Sequence, residues 1–137
     1  MSVNPIPAGF HTIAPNIIVK SVDEAVSFYK RAFGAEEVLR LSMPNGKVVH
    51  CELKFGDSRV NLGESMEGWP EHTLLAQIFV ADSDAVFAQA VKAGAEVLSP
   101  MRTGMSGSES ASFQRVMELL LRQSYLPHQL SKPWVRT

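Results

Sequence analysis

The stretch NIIVKSVDEAVSFYKRAFGAEEVLR, residues 16–40, decides the fold, because much of it returns as VADSDAVFAQAVKAGAEVLSP at residues 80–100. In the first copy Ser21-Val-Asp-Glu24 has the form of a capping box. The serine accepts from a backbone N–H three residues on, and the glutamate reaches back. Val22, Ala25, Val26, Tyr29 and Phe33 then follow at helical spacing, and Gly34 supplies the left-handed stop. Strands are expected on either side, over residues 9–19 and 36–41. The second copy repeats the order, with a strand over 74–80, Asp82 or Ser83 as N-cap, a helix over 85–93 ending at Gly94, and a short strand over 96–98. The two glycines are 60 positions apart (94 − 34). Capping chemistry alone makes helix–Gly–strand junctions look alike, but here the preceding strand recurs as well, which marks an internal repeat.

Outward from the first copy, two turn signals define a hairpin. Asn45-Gly46 fits a tight turn, and residues 47–55 then alternate, with Val49, Cys51, Leu53 and Phe55 on one face and His50, Glu52 and Lys54 on the other. Gly56-Asp57 turns the chain back into a strand over 58–63. A regular two-residue turn sets Phe55 opposite Ser58, Leu53 opposite Val60, Glu52 opposite Asn61 and His50 opposite Gly63. His50, Glu52 and Asn61 therefore share a face.

The composition places limits on function. A chain of 137 residues holds one core, and 45% apolar with 20% charged side chains is a globular balance. The net charge of −1 argues against a nucleic-acid or anionic-membrane partner. No run reaches membrane-spanning length, and MSVNPIPAGF lacks the pattern of a signal peptide, so a cytoplasmic location is expected. Cys51 is the one cysteine, which leaves no intramolecular disulfide. Residues 101–137 differ in character, with five basic and two acidic side chains (+3), so that the remainder carries −4.

The segments NIIVKSVDEAVSFYKRAFGAEEV, GKVVHCELKFGDSRVNLGE and VADSDAVFAQAVKAGAEVLSP together resemble the glyoxalase/bleomycin-resistance/dioxygenase group of the vicinal oxygen chelate superfamily, its PhnB-like branch in particular. The likeness runs from about residue 10 to residue 100. It implies an α+β fold of paired βαβββ modules curling around a cavity, a homodimer, and often a divalent metal at the cavity floor. On this basis the chain is a single domain over 1–137. Residues 10–64 form the first module, 74–100 start the second, and 101–137 are a divergent tail.

The family's metal ligands, usually His or Glu, carry over poorly. The first position falls on Ala14, with His11 three residues early. The second falls on Asn61, with Glu64 just beyond. The third falls on Leu75, with His72 three residues early. Alanine and leucine offer no donor atom, so no cofactor is expected, and a divalent metal only at a non-standard site.

The ending also departs from the family. Residues 112–126 place Phe113, Val116, Met117, Leu120 and Leu121 on one helical face before Pro127, which predicts that a C-terminal helix replaces the second module's last strands. Codons compatible with residues 107–123, read one base back, encode a run close to the missing family ending, which suggests a frameshift.

The candidate acid–base pair is His50 with Glu52, an imidazole and a carboxylate two apart on one strand face. Ordinary cross-strand pairing of Glu52 with Lys54 and Arg59 would serve structure alone. If strand parity follows the family, Asn16, Ile18, His50, Glu52, Asn61, Gln77 and Phe79 line a ligand site. Buried amides satisfying backbone groups are an equal alternative for the asparagines and Gln77. Cys51 points into the apolar set as a core filler, and Trp69 and Trp134 could cap a pocket, although such residues more often serve as packing anchors. The expected function is small-molecule binding of the glyoxalase/bleomycin-resistance type without the family metal. The alternative is a glyoxalase-like lyase or isomerase using a non-standard site.

Overall fold

The computed structural model describes residues 3–72, 74–96, 102–103 and 115–121. The first half runs β1 (Asn16–Val19), α1 (Val22–Phe33), β2 (Glu36–Ser42), β3 (Val48–Phe55) and β4 (Ser58–Glu64). These strands form one sheet in the order β1-β4-β3-β2. β1 lies parallel to β4, and the two hairpins are antiparallel. This is the βαβββ order that the resemblance implies for the first module.

Helix α1 begins as its capping box dictates: the Ser21 side chain accepts from the Glu24 N–H at 3.3 Å. It ends at Gly34, whose φ of 65° permits the left-handed C-cap. A further tie starts the helix. Glu64, at the end of β4, accepts from Val22 N–H through Oε1 at 3.2 Å and from Val48 N–H through Oε2 at 3.1 Å. One carboxylate thus joins the N-terminal turn of α1 to the start of β3, where a negative charge is favoured by the helix dipole.

The core lies between α1 and one face of this sheet. Val22, Ala25, Val26 and Tyr29 from the helix are buried with Ile17, Val19, Cys51, Leu53 and Leu62 from the strands. Each large side chain buried here contributes roughly 1.5–3 kcal/mol. At the margin Phe28 and Phe55 pack edge-on against Tyr29, and Phe33 lies tilted beside it. Above the helix, Arg40 on β2 bonds Glu37 and also pairs with Asp23. Its hydrogen bond holds the Glu37 carboxyl below the usual carboxylate range.

The predicted alternation along β3 fails at its start. Val48 is buried at 3% exposure and Val49 stands out at 40%. The β2–β3 register shifts between Leu41 and Ser42, whose partners are His50 and Val48, so Val49 occupies a bulge. From Cys51 onward the pairing matches expectation, including Glu52 opposite Asn61 and Leu53 opposite Val60.

The second copy gives β5 (Leu74–Ile78), α2 (Ser83–Lys92), β6 (Arg102–Thr103) and β7 (Arg115–Leu121), with the strands in the order β5-β7-β6. Asp82 caps α2 by accepting from Ala85 N–H at 3.0 Å. Leu74, Ala76, Val86 and Phe87 pack against the first core, and Gln89 donates to the Arg31 carbonyl at 2.9 Å. Ahead of β5, His72 N–H donates to the Ile18 carbonyl of β1 at 3.1 Å. Among the described residues no helix is long and apolar enough to cross a membrane.

The expected helix over 112–126 is corrected within the described part of that range. Arg115–Leu121 is a strand, antiparallel to β5 with Leu75 opposite Leu120 and Gln77 opposite Glu118. A short apolar run carries no decisive period, and the edge of β5 supplies hydrogen-bond partners that an isolated helix lacks. The rest of that range, and residues 97–98 of the strand expected over 96–98, lie outside the described residues.

Candidate functional site

Alternate residues of β1, β4 and β3 point away from α1, and this second face carries the polar chemistry. Register places Asn16 beside Asn61, Asn61 beside Glu52, and Ile18 beside Gly63. On β2, Leu39 lies opposite Glu52 and Leu41 opposite His50. The sheet thus brings together Asn16, Ile18, His50, Glu52 and Asn61, five of the seven predicted ligand-site residues.

Glu52 is the centre of the arrangement. It is 9% exposed, a costly position for a carboxylate unless both oxygens find partners. They do. Oε1 lies 3.3 Å from His50 Nε2, and Oε2 accepts from Arg59 Nη1 at 2.6 Å. The Arg59 contact is a charge-assisted bond, the stronger kind. The predicted pair is therefore a line of three, His50–Glu52–Arg59.

Arg59 is itself seated. Its guanidinium lies 5.0 Å from the centroid of the Phe10 ring, within cation–π range. The backbone at Gly9 presses against the same group: a Cβ built there would lie 2.6 Å from Arg59 Nη2. Gly9 also has a φ of 83°, so both space and conformation call for glycine. The segment is anchored next door by His11 Nε2, 3.1 Å from the Asp57 carbonyl oxygen. Sequence reasoning gave Arg59 only a pairing role and passed over Phe10. Arg59 was legible as a neighbour of Asn61 on β4 with the same parity; Phe10 had no signal, because nothing local says which strand a preceding segment crosses.

Asn61 Oδ1 is buried and has no hydrogen-bond partner among the described residues. An acceptor in that state loses its hydration without compensation. Of the other two predicted residues, Gln77 and Phe79, the first lies on β5 in the other sheet. Both are exposed, Phe79 at 67%, and Phe79 lies just beyond the end of β5. Trp69 is 59% exposed, joined to Met66 by a β-bridge, and so is no packing anchor. Trp134 lies outside the described residues. Cys51 is fully buried, and burial pushes its thiol pKa up, as befits a core filler.

The family's metal positions can be tested on donor chemistry. Ala14 and Leu75 have no ligating atom. Glu64 already uses both oxygens on backbone N–H groups. His72 Nε2 lies 2.9 Å from the Asn16 carbonyl oxygen, and His11 is held at Asp57. Among the described residues no three of His, Cys, Asp or Glu gather as a metal site would require. The residues present at these positions do not fit a family-type centre.

Comparison with known proteins agrees with the architecture. The Glyoxalase/Bleomycin resistance protein/Dioxygenase superfamily matches residues 9–114. The chain is similar to uncharacterized protein Mb0911c of Mycobacterium bovis, 29% identical over 121 residues, covering 78% of this chain and 75% of the relative. Among solved structures it is similar to TioX from Micromonospora sp. ML1, with a TM-score of 0.52 and 24% identity over 69% of this chain and 79% of that one. It is also similar to the fosfomycin resistance protein FosX from Listeria monocytogenes complexed with Mn(II) and sulfate, with a TM-score of 0.51 and 16% identity over 68% and 79%. At such identities these two structures speak for the fold.

Proposed function

This chain belongs to the glyoxalase/bleomycin resistance protein/dioxygenase superfamily, and from that premise we propose that it binds a small organic molecule without a family-type metal. The carrying observation is the line His50–Glu52–Arg59 on the sheet face away from α1, in a chain whose Ala14 and Leu75, at two of the family's ligand positions, have no donor atom for a metal. A partly apolar surface with a few fixed polar groups suits ligand orientation. Ile18, Leu39 and Leu41 provide the apolar part, and Asn61 and His50 the polar part. Binding is tested by screening a fragment library against the full chain by NMR, before and after chelator treatment. Ligands should bind equally in both samples. About one equivalent of tightly bound zinc, nickel or manganese per chain, with binding lost on its removal, would overturn the reading.

A second reading rests on the 3.3 Å contact between His50 and Glu52, since a carboxylate-oriented imidazole is a competent general base. It makes the protein a lyase or isomerase with a non-standard site. Recovery of a bound molecule chemically unchanged after long incubation favours binding. Conversion that disappears in His50→Phe favours the enzyme.

The protein is read as a cytoplasmic, PhnB-like homodimer with a divergent, frameshifted ending. Support for the dimer comes from β2, an edge strand among the described residues that leaves Val38 at 43% exposure. Light scattering should give twice the 15.0 kDa chain mass; a monomer at micromolar concentration would refute it.

A further inference from the structure

The committed partners on the Glu52 face restrict what chemistry remains for a ligand. An ionised carboxylate is an acceptor only. The contact between His50 Nε2 and Glu52 Oε1 is therefore a hydrogen bond only if Nε2 carries the proton. In the neutral imidazole that leaves Nδ1 with its lone pair, and Nδ1 has no partner among the described residues. The His50 side chain is 33% exposed, so the ring is within reach from outside. A second acceptor, the buried Asn61 Oδ1, also lacks a partner among the described residues.

Positive charge on this face is, by contrast, already spoken for. Arg59 donates to Glu52 at 2.6 Å, is 19% exposed, and has Phe10 against its guanidinium and Gly9 beside it. Lys47 and Lys54 are three and four residues from His50 along the chain, about 10 and 13 Å in an extended strand. An anionic group seated at His50 would meet the Glu52 carboxylate before either lysine. Next to His50 and Glu52 the face turns apolar, with Leu41 and Leu39 at 50% and 41% exposure as their cross-strand neighbours.

Resting on the small-molecule reading above, we propose that this face selects neutral molecules that join an O–H or N–H donor to an apolar body, with His50 Nδ1 taking the donor. Carboxylates and phosphonates of the same shape are disfavoured, because both bring a like charge to Glu52 and the carboxylate brings only acceptors. The class is that of alcohols, phenols and amides with an aromatic or aliphatic body.

The test uses the full chain and four probes of one shape: benzyl alcohol, benzamide, benzoate and phenylphosphonate. Binding is followed by NMR shift titration, and long-range 15N spectra of the His50 ring report which nitrogen holds the proton. The ring should carry it on Nε2, and the two donors should bind roughly three- to tenfold more tightly than the two anions, the worth of one neutral hydrogen bond. His50→Phe should erase that preference while keeping the fold, because Arg59 still holds Glu52. His50→Gln, which restores an acceptor, should recover part of it. Anions binding as tightly as the donors, or a proton found on Nδ1, would overturn the donor selection and leave small-molecule binding standing. Failure of all four probes and of the fragment library would overturn both.

Discussion

The two faces of the β1-β4-β3-β2 sheet are made by alternate residues of the same strands, yet they do different work. Toward α1, Ile17, Val19, Cys51, Leu53 and Leu62 are at most 2% exposed and contain no side-chain charge. Away from it, Glu52, His50, Arg59 and Asn61 hold a polar line bordered by half-exposed leucines. Tertiary stability is concentrated on the first face, where apolar area leaves water without a compensating demand for partners. Reactive groups sit on the second, where each committed hydrogen bond limits what the others can still do. The separation can be tested, face by face, by what single changes cost.

The largest effect belongs to the helix face. Leu62→Ala removes a side chain that is 1% exposed, between β1 and β3, and should cost about 2–5 kcal/mol in urea unfolding. A loss below about 1 kcal/mol would mean that the site collapses around the gap and is not close-packed. Tyr29 offers a second measure of the same core. Burial pushes its pKa up from 10.0 to about 12. A raised pKa means that the folded state resists losing the proton that the unfolded chain gives up. Stability from this group is therefore whole below pH 10 and lost as pH climbs toward 12, by about 3 kcal/mol for a shift of that size. Tyr29→Phe should flatten that alkaline loss, as followed by thermal melts between pH 8 and 12.

The polar face should respond less. Glu52→Ala strips Arg59 of its carboxylate and should cost about 2–3 kcal/mol, the worth of a partly buried charged hydrogen bond. Glu52→Gln, which keeps an oxygen for Arg59 or an N–H turned the wrong way for it, should fall between the two. Equal stability of Glu52→Ala and the parent would show the Arg59 contact to be structurally idle.

The contrast between the faces was largely legible in the chain. Period-2 alternation from Cys51 onward and the Gly56-Asp57 turn fix the register, and register alone puts Glu52 opposite Asn61. The cap at Ser21 and the stop at Gly34 follow from local chemistry. What escaped has a physical reason in each case. The bulge at Val49 depends on how β2 and β3 twist together, which neither strand records alone. The strand Arg115–Leu121 was read as helix because Val116, Met117, Leu120 and Leu121 satisfy helical spacing, while its real partner, β5, lies some forty residues earlier. The seat of Arg59 escaped because Phe10 reaches it across the fold. Local patterns are readable; pairings made across the chain are not.

The smallest effect separates a free face from a covered one. Leu41 lies on edge strand β2, opposite His50 and 50% exposed. Half its surface is in water already, and the edge gives it no second strand to pack on. Leu41→Ser should therefore change stability by no more than about 0.5 kcal/mol in dilute solution, as surface substitutions do. Measuring it at two protein concentrations adds a control. If a second subunit covers β2, the cost grows with concentration, because the apolar contact then belongs to the dimer. A loss above about 1 kcal/mol that is independent of concentration would instead mean that Leu41 is buried by this chain's own residues. The two faces would then no longer differ in kind, since both would draw stability from apolar burial, and the surface beside His50 would be closed to a ligand.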